Sequence, residues 1–244
     1  MPSSLRRAAI VSPIRTAVGK FQGSLAGLTA GDLGAVILKA LVERTKLDPA
    51  IVDDIIFAQG YGNGEAPCIA RWSALAADFP IEVPGYQLDR RCGSGLQAVI
   101  DAAMMVQTGV ADVVIAGGVE SMSNVEYYSL DMRGGARAGS VTMHDRLARG
   151  RVMSQPISRF GVISGMIETA ENLRARYGIS RTEQDEFAAR SHERAIAAHD
   201  SGRFTSELVP VTIPGRRGRT DTVVDRDEHP RADATAESLA ALRP

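Results

Sequence analysis

The stretch Leu88-Asp89-Arg90-Arg91-Cys92-Gly93-Ser94-Gly95-Leu96 sets a thiol where an extended run breaks into glycines and a helix begins. A thiol at a helix N-terminus faces the positive end of the macrodipole and unpaired backbone N–H groups. Both favour the thiolate, which is the nucleophilic form. Gly93 and Gly95 carry no side chain to screen the sulfur from an approaching carbonyl carbon. The pattern reads as a mount for a nucleophile. A plainer alternative stands beside it, because a free cysteine also serves as a small buried apolar residue.

A cysteine nucleophile needs a base or a cationic partner. The four histidines are His144, His192, His199 and His229. His192 and His199 are seven residues apart on an Arg/Glu-rich helical stretch, which suits a solvated face. His144 falls in irregular sequence, and His229-Pro230 lies in a polar turn. None offers itself as the partner. Cys68 sits in a helical pattern with Trp72 and Leu75, so it reads as packing. Two cysteines without a histidine cluster make neither a disulfide framework nor a metal site, so no metal is expected. Gly60-Tyr61-Gly62-Asn63-Gly64 and Gly117-Gly118 lack the spacing of a phosphate-binding loop and read as tight turns. Arginines at 133, 137, 146, 149, 151, 159, 216, 217 and 219 read mostly as solvated charge, with some available to an anionic ligand.

The elements that must position these residues follow from patterning. The first 120 residues carry 10 Lys+Arg against 12 Asp+Glu, and the remainder 18 against 17, so neither half has a nucleic-acid footprint. No apolar run suits a signal peptide or a membrane span, and the cysteine usage suits a reduced cytoplasm. Residues 8–12 read as a buried strand. Leu33, Val36, Ile37, Ala40 and Leu41 fall on one helical face. Asp48-Pro49 starts a short helical turn, and 54–58 is a strand. A helix is expected over about 67–77 and a strand over 85–89. After Cys92, Leu96, Val99, Ile100, Ala103 and Met104 form one stripe, with Ala98, Ala102, Met105 and Val106 covering most of the rest. Such a helix is buried on several sides, or leaves an apolar face that calls for a partner. Gly109 ends it, and 111–116 is a strand.

This alternation predicts an α/β layer with a mainly parallel sheet and helices on both faces. Ligand sites in such sheets gather at the carboxyl ends of strands, where Cys92 falls. After residue 121 the texture changes. Residues 121–165 read as long loops, followed by helices over 166–177 and about 181–200. The second opens with the capping box Ser180-Arg181-Thr182-Glu183. Strands are expected over 207–213 and 220–224. The division predicted is 1–121 as an α/β domain carrying the cysteine and 122–244 as a smaller α+β domain.

With these motifs assembled, the chain resembles the thiolase family, the acetyl-CoA acyltransferases. The resemblance rests on residues 11–19 (Val-Ser-Pro-Ile-Arg-Thr-Ala-Val-Gly), 92–99 (Cys-Gly-Ser-Gly-Leu-Gln-Ala-Val), 117–123 (Gly-Gly-Val-Glu-Ser-Met-Ser), 169–172 (Thr-Ala-Glu-Asn) and 242–244 (Leu-Arg-Pro). It implies that Cys92 attacks the keto carbon of a 3-ketoacyl-CoA, releases acetyl-CoA and passes the acyl group to a second CoA. Reversed, this is condensation of two acyl-CoAs. The Cys92 N–H would help to stabilise the oxyanion, a device worth about 3–4 kcal/mol per donor. CoA thioesters are then substrates, and no separate cofactor is implied.

The resemblance further implies that 122–244 is a loop domain covering CoA. Met166 would lie at the pantetheine or acyl end, and Arg231 and Ser238 at the nucleotide end. His192 and Ile157 are weaker carry-overs. Gly165-Met166-Ile167 departs from the His-Met-Gly of many short-chain members, so acyl-chain preference is open. Members of the family also carry a second catalytic half with a Gly-His-Pro histidine, an Asn-Glu-Ala-Phe motif and a Cys-x-Gly cysteine. None is present in these 244 residues. The expectation is an incomplete portion of the enzyme, not competent alone, which forms homo-oligomers or takes its missing half from another polypeptide. Two other readings are a non-catalytic CoA-binding or assembly module and a redox-sensing thiol, the latter without an apparent resolving cysteine.

Overall fold

The computed structural model describes residues 5–162, 165–215 and 220–243. In chain order the elements are β1 (Arg15–Thr16), α1 (Ala30–Thr45), β2 (Asp54–Ala58), α2 (Ile69–Ala76), β3 (Gly85–Leu88), α3 (Ser94–Thr108) and β4 (Val114–Gly118). Then come β5 (Tyr127–Tyr128), β6 (His144–Asp145), α4 (Arg146–Val152), α5 (Ile157–Phe160), α6 (Met166–Tyr177) and α7 (Arg181–Asp200). The chain finishes through β7 (Leu208–Val209), β8 (Val211–Ile213), β9 (Thr222–Val224) and α8 (Ala236–Ala240). They form two compact units. One comprises 1–124 and 205–228, the other 125–204 and 229–244. Residues 205–228, assigned from sequence to the second domain, thus pack with the first unit.

The first unit is built on a parallel sheet of order β3-β2-β4. Central strand β2 has the continuous apolar run expected when both faces of a parallel strand are covered. Ile55 and Phe57 enter a core with Leu38 of α1 and Ile69, Ala70 and Ala74 of α2. Ile56, on the opposite face, packs against Ala98 and Ala102 of α3. Helix α1 starts in a capping box, with the Thr29 hydroxyl accepting the Asp32 N–H and the Asp32 carboxylate accepting the Thr29 N–H. Gly31 and Gly34 let α1 approach α2 closely. A Cβ at Gly34 would lie 2.3 Å from the Ser73 hydroxyl oxygen.

Four sequence expectations change in three dimensions. Residues 8–12 form no strand, and Ile10 and Val11 are 77% and 72% exposed, because no described strand pairs with them. The strand expected from residue 111 starts at Val114, since the N–H groups of Asp112 and Val113 donate to the Asp53 carboxylate at 2.7 and 3.0 Å. The run 207–213 divides at Pro210, which has no N–H to give a ladder. On one side β7 pairs parallel with β1, and on the other β8 pairs antiparallel with β9. Lastly, α3 buries the small residues Ser94, Ala98 and Ala102, one turn apart, which allow close approach to the sheet. Leu96, Ile100 and Met104 are left exposed, Leu96 at 69%, so the apolar face anticipated for this helix is present.

The segment 205–228 is held to its unit by the packing of Val211 and Val224 against Ala17, Leu25 and Leu33, and also by charge. The Arg15 guanidinium donates to Glu207 at 2.6 Å and to both oxygens of Asp227 at 2.8 and 3.1 Å. The Glu228 carboxylate accepts the Ser24 hydroxyl at 2.7 Å and the Lys20 N–H at 2.9 Å. The Ser24 hydroxyl, followed by the Lys20 N–H, keeps the Glu228 carboxyl below the ordinary carboxylate range. A carboxyl depressed in the folded state stabilises the fold above its unfolded pKa of about 4.3. That contribution disappears as pH falls through the lower, folded value. Urea midpoints measured across the acid range should therefore fall with pH in the native chain. Glu228→Gln should lower the midpoint at pH 7 and flatten this acid limb; an unaltered pH dependence would contradict the clamp.

The second unit contains no buried residue among those described. Its longest helix, α7, has the expected capping box between Ser180 and Glu183. Arg181 ties α7 to the α8 region by donating to the carbonyls of Leu239 at 2.6 Å and Leu242 at 3.0 Å. The stretch read as loops holds the β5–β6 pair and α4, the latter capped by Asp145 accepting the Leu147 N–H at 2.8 Å. Seven residues are too few for periodicity to reveal a helix.

Candidate functional site

Strand β3 delivers the chain at Leu88 into a tight turn. The Asp89 carboxylate accepts the Arg91 N–H at 2.8 Å, and Arg91 adopts φ 51°. That left-handed conformation is rare for a residue with a side chain and needs support from its surroundings. The Ser94 hydroxyl spans the turn, accepting the Arg90 N–H at 2.6 Å and donating to the Arg91 carbonyl at 2.7 Å. Arg91–Gly93 form a single 3-10 turn, and α3 begins at Ser94 with no side-chain cap on its first turn.

Cys92 is exposed, and among the described residues no hydrogen bond or ion pair reaches its sulfur. A Cβ added at Gly93 or Gly95 would meet nothing within 4 Å, so the glycines border open space. The buried-packing alternative for Cys92 does not fit this exposure. It does fit Cys68, half-buried ahead of α2, whose thiol donates to the Gly85 carbonyl at 3.3 Å.

The carboxyl ends of β2 and β4 are tied to the same place. Beyond β4, the Glu120 carboxylate accepts the N–H groups of Gly60 and Tyr61 through one oxygen, at 2.8 and 3.2 Å. The Arg91 guanidinium donates to the Gly60 carbonyl at 2.5 Å and lies 5.9 Å from the Tyr61 ring centroid. Further along, Ser121 donates to the Leu28 carbonyl at 3.2 Å, Ser123 accepts the Gln22 N–H at 2.9 Å, and Asn124 donates to the carbonyls of Ala26 and Leu28. In the sequence, 117–123 stands out as a recognition motif that opens on the tight turn Gly117-Gly118. Its polar side chains in fact fasten the end of β4 to two loops. The available signal was the Gly117-Gly118 break, which marks the strand end where such side chains collect.

The residues proposed from the resemblance to contact CoA, namely Ile157, Met166, His192, Arg231 and Ser238, all lie in the second unit. His192 and Arg231 are brought together: His192 Nδ1 accepts the Arg231 N–H at 3.2 Å. Ser238 is the third residue of α8, where its hydroxyl donates to the carbonyls of Asp233 and Thr235, each at 3.0 Å, and accepts the Thr235 N–H. Met166 opens α6 and Ile157 opens α5, both exposed. The positions 216, 217 and 219 and Pro244 lie outside the described residues. All four histidines belong to the second unit, so the unit bearing Cys92 contains none. Among the described residues no group of three His, Cys, Asp or Glu side chains could hold a metal ion, and no helix is long and apolar enough to cross a membrane.

Residues 8–244 match the family described as "Thiolase, N-terminal domain". The chain is 43% identical over 235 residues to an acetyl-CoA acetyltransferase of Pseudomonas aeruginosa, covering 96% of this chain and 58% of that protein. It is 41% identical over 241 residues to a beta-ketoadipyl-CoA thiolase of Acinetobacter baylyi, covering 98% and 60%. The crystal structure of the Bacillus anthracis acetyl-CoA acetyltransferase superposes with a TM-score of 0.89 at 41% identity, over 99% of this chain and 60% of that one. The chain thus spans 58% to 60% of the length of these relatives.

Proposed function

The chain belongs to the thiolase family, and from that membership we propose that Cys92 is the acyl-accepting nucleophile in transfer of acyl groups to and from coenzyme A. In the thiolytic direction the Cys92 thiolate bonds to the keto carbon of a 3-ketoacyl-CoA. The bond between the α and β carbons then breaks, and the departing carbanion takes a proton to become acetyl-CoA. A second CoA thiolate attacks the acyl–sulfur carbonyl, and the Cys92 thiolate is restored. The Cys92 N–H is the proposed donor for the transient oxyanion, since the N–H groups of Gly93 and Ser94 donate to the carbonyls of Arg90 and Arg91.

One observation carries this reading: an exposed thiol between two open glycines, at the carboxyl edge of a parallel sheet and the start of a helix. Cysteines in such settings are the reactive ones, whereas packed cysteines are inert. Met166, His192, Arg231 and Ser238 are proposed contacts for the CoA end of the substrate. Cytoplasmic location belongs to the same proposal.

The 244-residue chain by itself is proposed to accept an acyl group slowly without turning over. The unit with the thiol holds no histidine, and no described hydrogen bond activates the sulfur. The exposed row Leu96, Ile100 and Met104 supports association, with a second copy or with a polypeptide supplying the remaining catalytic groups. Two measurements test the proposal: peptide mass spectrometry after incubation with acetyl-CoA, and an acetoacetyl-CoA thiolysis assay. The expected outcome is acetyl on Cys92 with negligible thiolysis. Bound CoA with an unmodified Cys92 would favour a non-catalytic CoA-binding module. Thiolysis by the chain alone, at a typical enzymatic turnover of about 10 s⁻¹, would refute the dependence on further groups.

A further inference from the structure

We propose that Glu120 and Arg91 are positioning residues that hold the Cys92 turn in register with the ends of β2 and β4, and this deepens the acyl-transfer reading on which it rests. Three links connect the strand ends. Glu120, past β4, gives one carboxylate oxygen to the N–H groups of Gly60 and Tyr61, past β2. The carbonyl of the same Gly60 accepts the Arg91 guanidinium. Arg91 immediately precedes Cys92, past β3, and it is the residue with the left-handed backbone.

A side-chain-bearing residue stays in that region only when its neighbours over-determine it. Arg91 has such support at every part. Its N–H donates to Asp89, its carbonyl accepts from Ser94, its guanidinium meets Gly60, and Asp89 lies 3.2 Å from the same guanidinium nitrogen. The direction in which the next residue leaves the turn follows from this conformation. Loosening Gly60 and Tyr61 by removing Glu120 therefore loosens Arg91, and with it the line of approach to Cys92.

A different role for Glu120 would be as a base acting on the thiol. Its Oε2 instead accepts two backbone N–H groups, and among the described residues no hydrogen bond reaches the Cys92 sulfur. Glutamine separates the two roles. A carboxamide oxygen accepts the same two N–H groups but takes no proton at neutral pH.

The test uses the full 244-residue chain with Glu120→Ala, Glu120→Gln, Arg91→Met and Arg91→Lys. Three quantities are read: hydrogen exchange of the peptide over 88–96, acetylation of Cys92 by acetyl-CoA, and alkylation of Cys92 by iodoacetamide resolved by peptide. Misplacement of a reacting atom by about 1 Å can cost a hundredfold for an oriented substrate. Glu120→Ala and Arg91→Met are expected to speed exchange over 88–96 by about tenfold and slow acetylation by roughly ten- to a hundredfold. Alkylation by a small, unoriented reagent should change by less than about threefold, because it needs no fixed approach.

Glu120→Gln should stay close to the parent, whereas Arg91→Lys should lie between the parent and Arg91→Met, because an ammonium reaches one acceptor without the planar fork. Parental exchange and acetylation in Glu120→Ala would overturn the proposal. So would Glu120→Gln as impaired as Glu120→Ala, which would assign the effect to charge. If the parent chain took no acetyl group, the acyl-transfer reading would fail, and the exchange measurements would still decide whether Glu120 and Arg91 hold the turn.

Discussion

Cys92→Ala is expected to abolish acetylation of the chain, and to lower acyl transfer by a factor on the order of 10⁶ in any assembly in which the chain turns over. The size follows from the role proposed for the residue. Removing a nucleophile that forms a covalent intermediate leaves only binding and oxyanion stabilisation, a remainder of roughly 10³–10⁴ over the uncatalysed reaction. Within these 244 residues no second thiol can substitute: Cys68 is half-buried with its S–H donated to the Gly85 carbonyl, and no third cysteine occurs among them. The variant should fold as the parent does, because Cys92 is exposed and the turn around it is held by Asp89, Ser94 and Arg91. Equal urea midpoints with acetyl transfer lost would assign the loss to chemistry. Acetyl transfer retained at a tenth of the parental rate would remove Cys92 from its proposed role.

Ile55→Ala is expected to destabilise the first unit by about 3–4 kcal/mol, inside the range of about 2–5 kcal/mol for deleting a buried isoleucine. Ile55 is 0% exposed on the central strand, in the core shared by α1 and α2. Its neighbours cannot close the void readily, because Gly34 and Ser73 already bring the two helices into close contact. Leu96→Ala is the matched control. It removes a large apolar side chain that is mostly in solvent, so a change within about 0.5 kcal/mol is expected in the isolated chain. Urea denaturation of both variants checks the pair. A loss below about 1 kcal/mol for Ile55→Ala would mean that the sheet core is not where the stability of this unit resides.

The contrast between these two substitutions shows how the fold could and could not be read in advance. β2 was legible because a parallel strand covered on both faces is a short, continuous apolar run, and Ile55-Ile56-Phe57-Ala58 is one. The start of α7 was legible because Ser180 and Glu183 satisfy each other's backbone donors, a relation complete within four residues. Helix α3 was legible as a helix, but not which of its faces would be buried. Leu96, Ile100 and Met104 are more hydrophobic than Ser94, Ala98 and Ala102, yet the small residues face the sheet because they permit the closer approach. Residues 8–12 looked like a strand in composition, and composition does not supply a neighbour.

The candidate site divides in the same way. Cys92, its glycines and the strand-to-helix break are contiguous, so chain-local chemistry and the flanking motifs identified them together. The part played by Glu120 was not legible. It depends on Gly60 and Tyr61, about sixty residues earlier in the chain, being delivered by β2 beside the end of β4. Arg91 stood in the sequence only as a member of the stretch around Cys92, and its backbone conformation and its bond to Gly60 set it apart.

By itself, then, the sequence determined the α/β class, the family and the strand-to-helix break that carries Cys92, because capping, hydrophobic period and motif spacing are complete within a few residues. Only the tertiary structure decided that 205–228 pack with the first unit, that the run 207–213 serves two different ladders across Pro210, and that Glu120 and Arg91 both bind Gly60. Each of these depends on hydrogen bonds or close packing between segments far apart in the chain. Whether such groups find partners is settled by the whole arrangement of strands, and no local pattern carries that information.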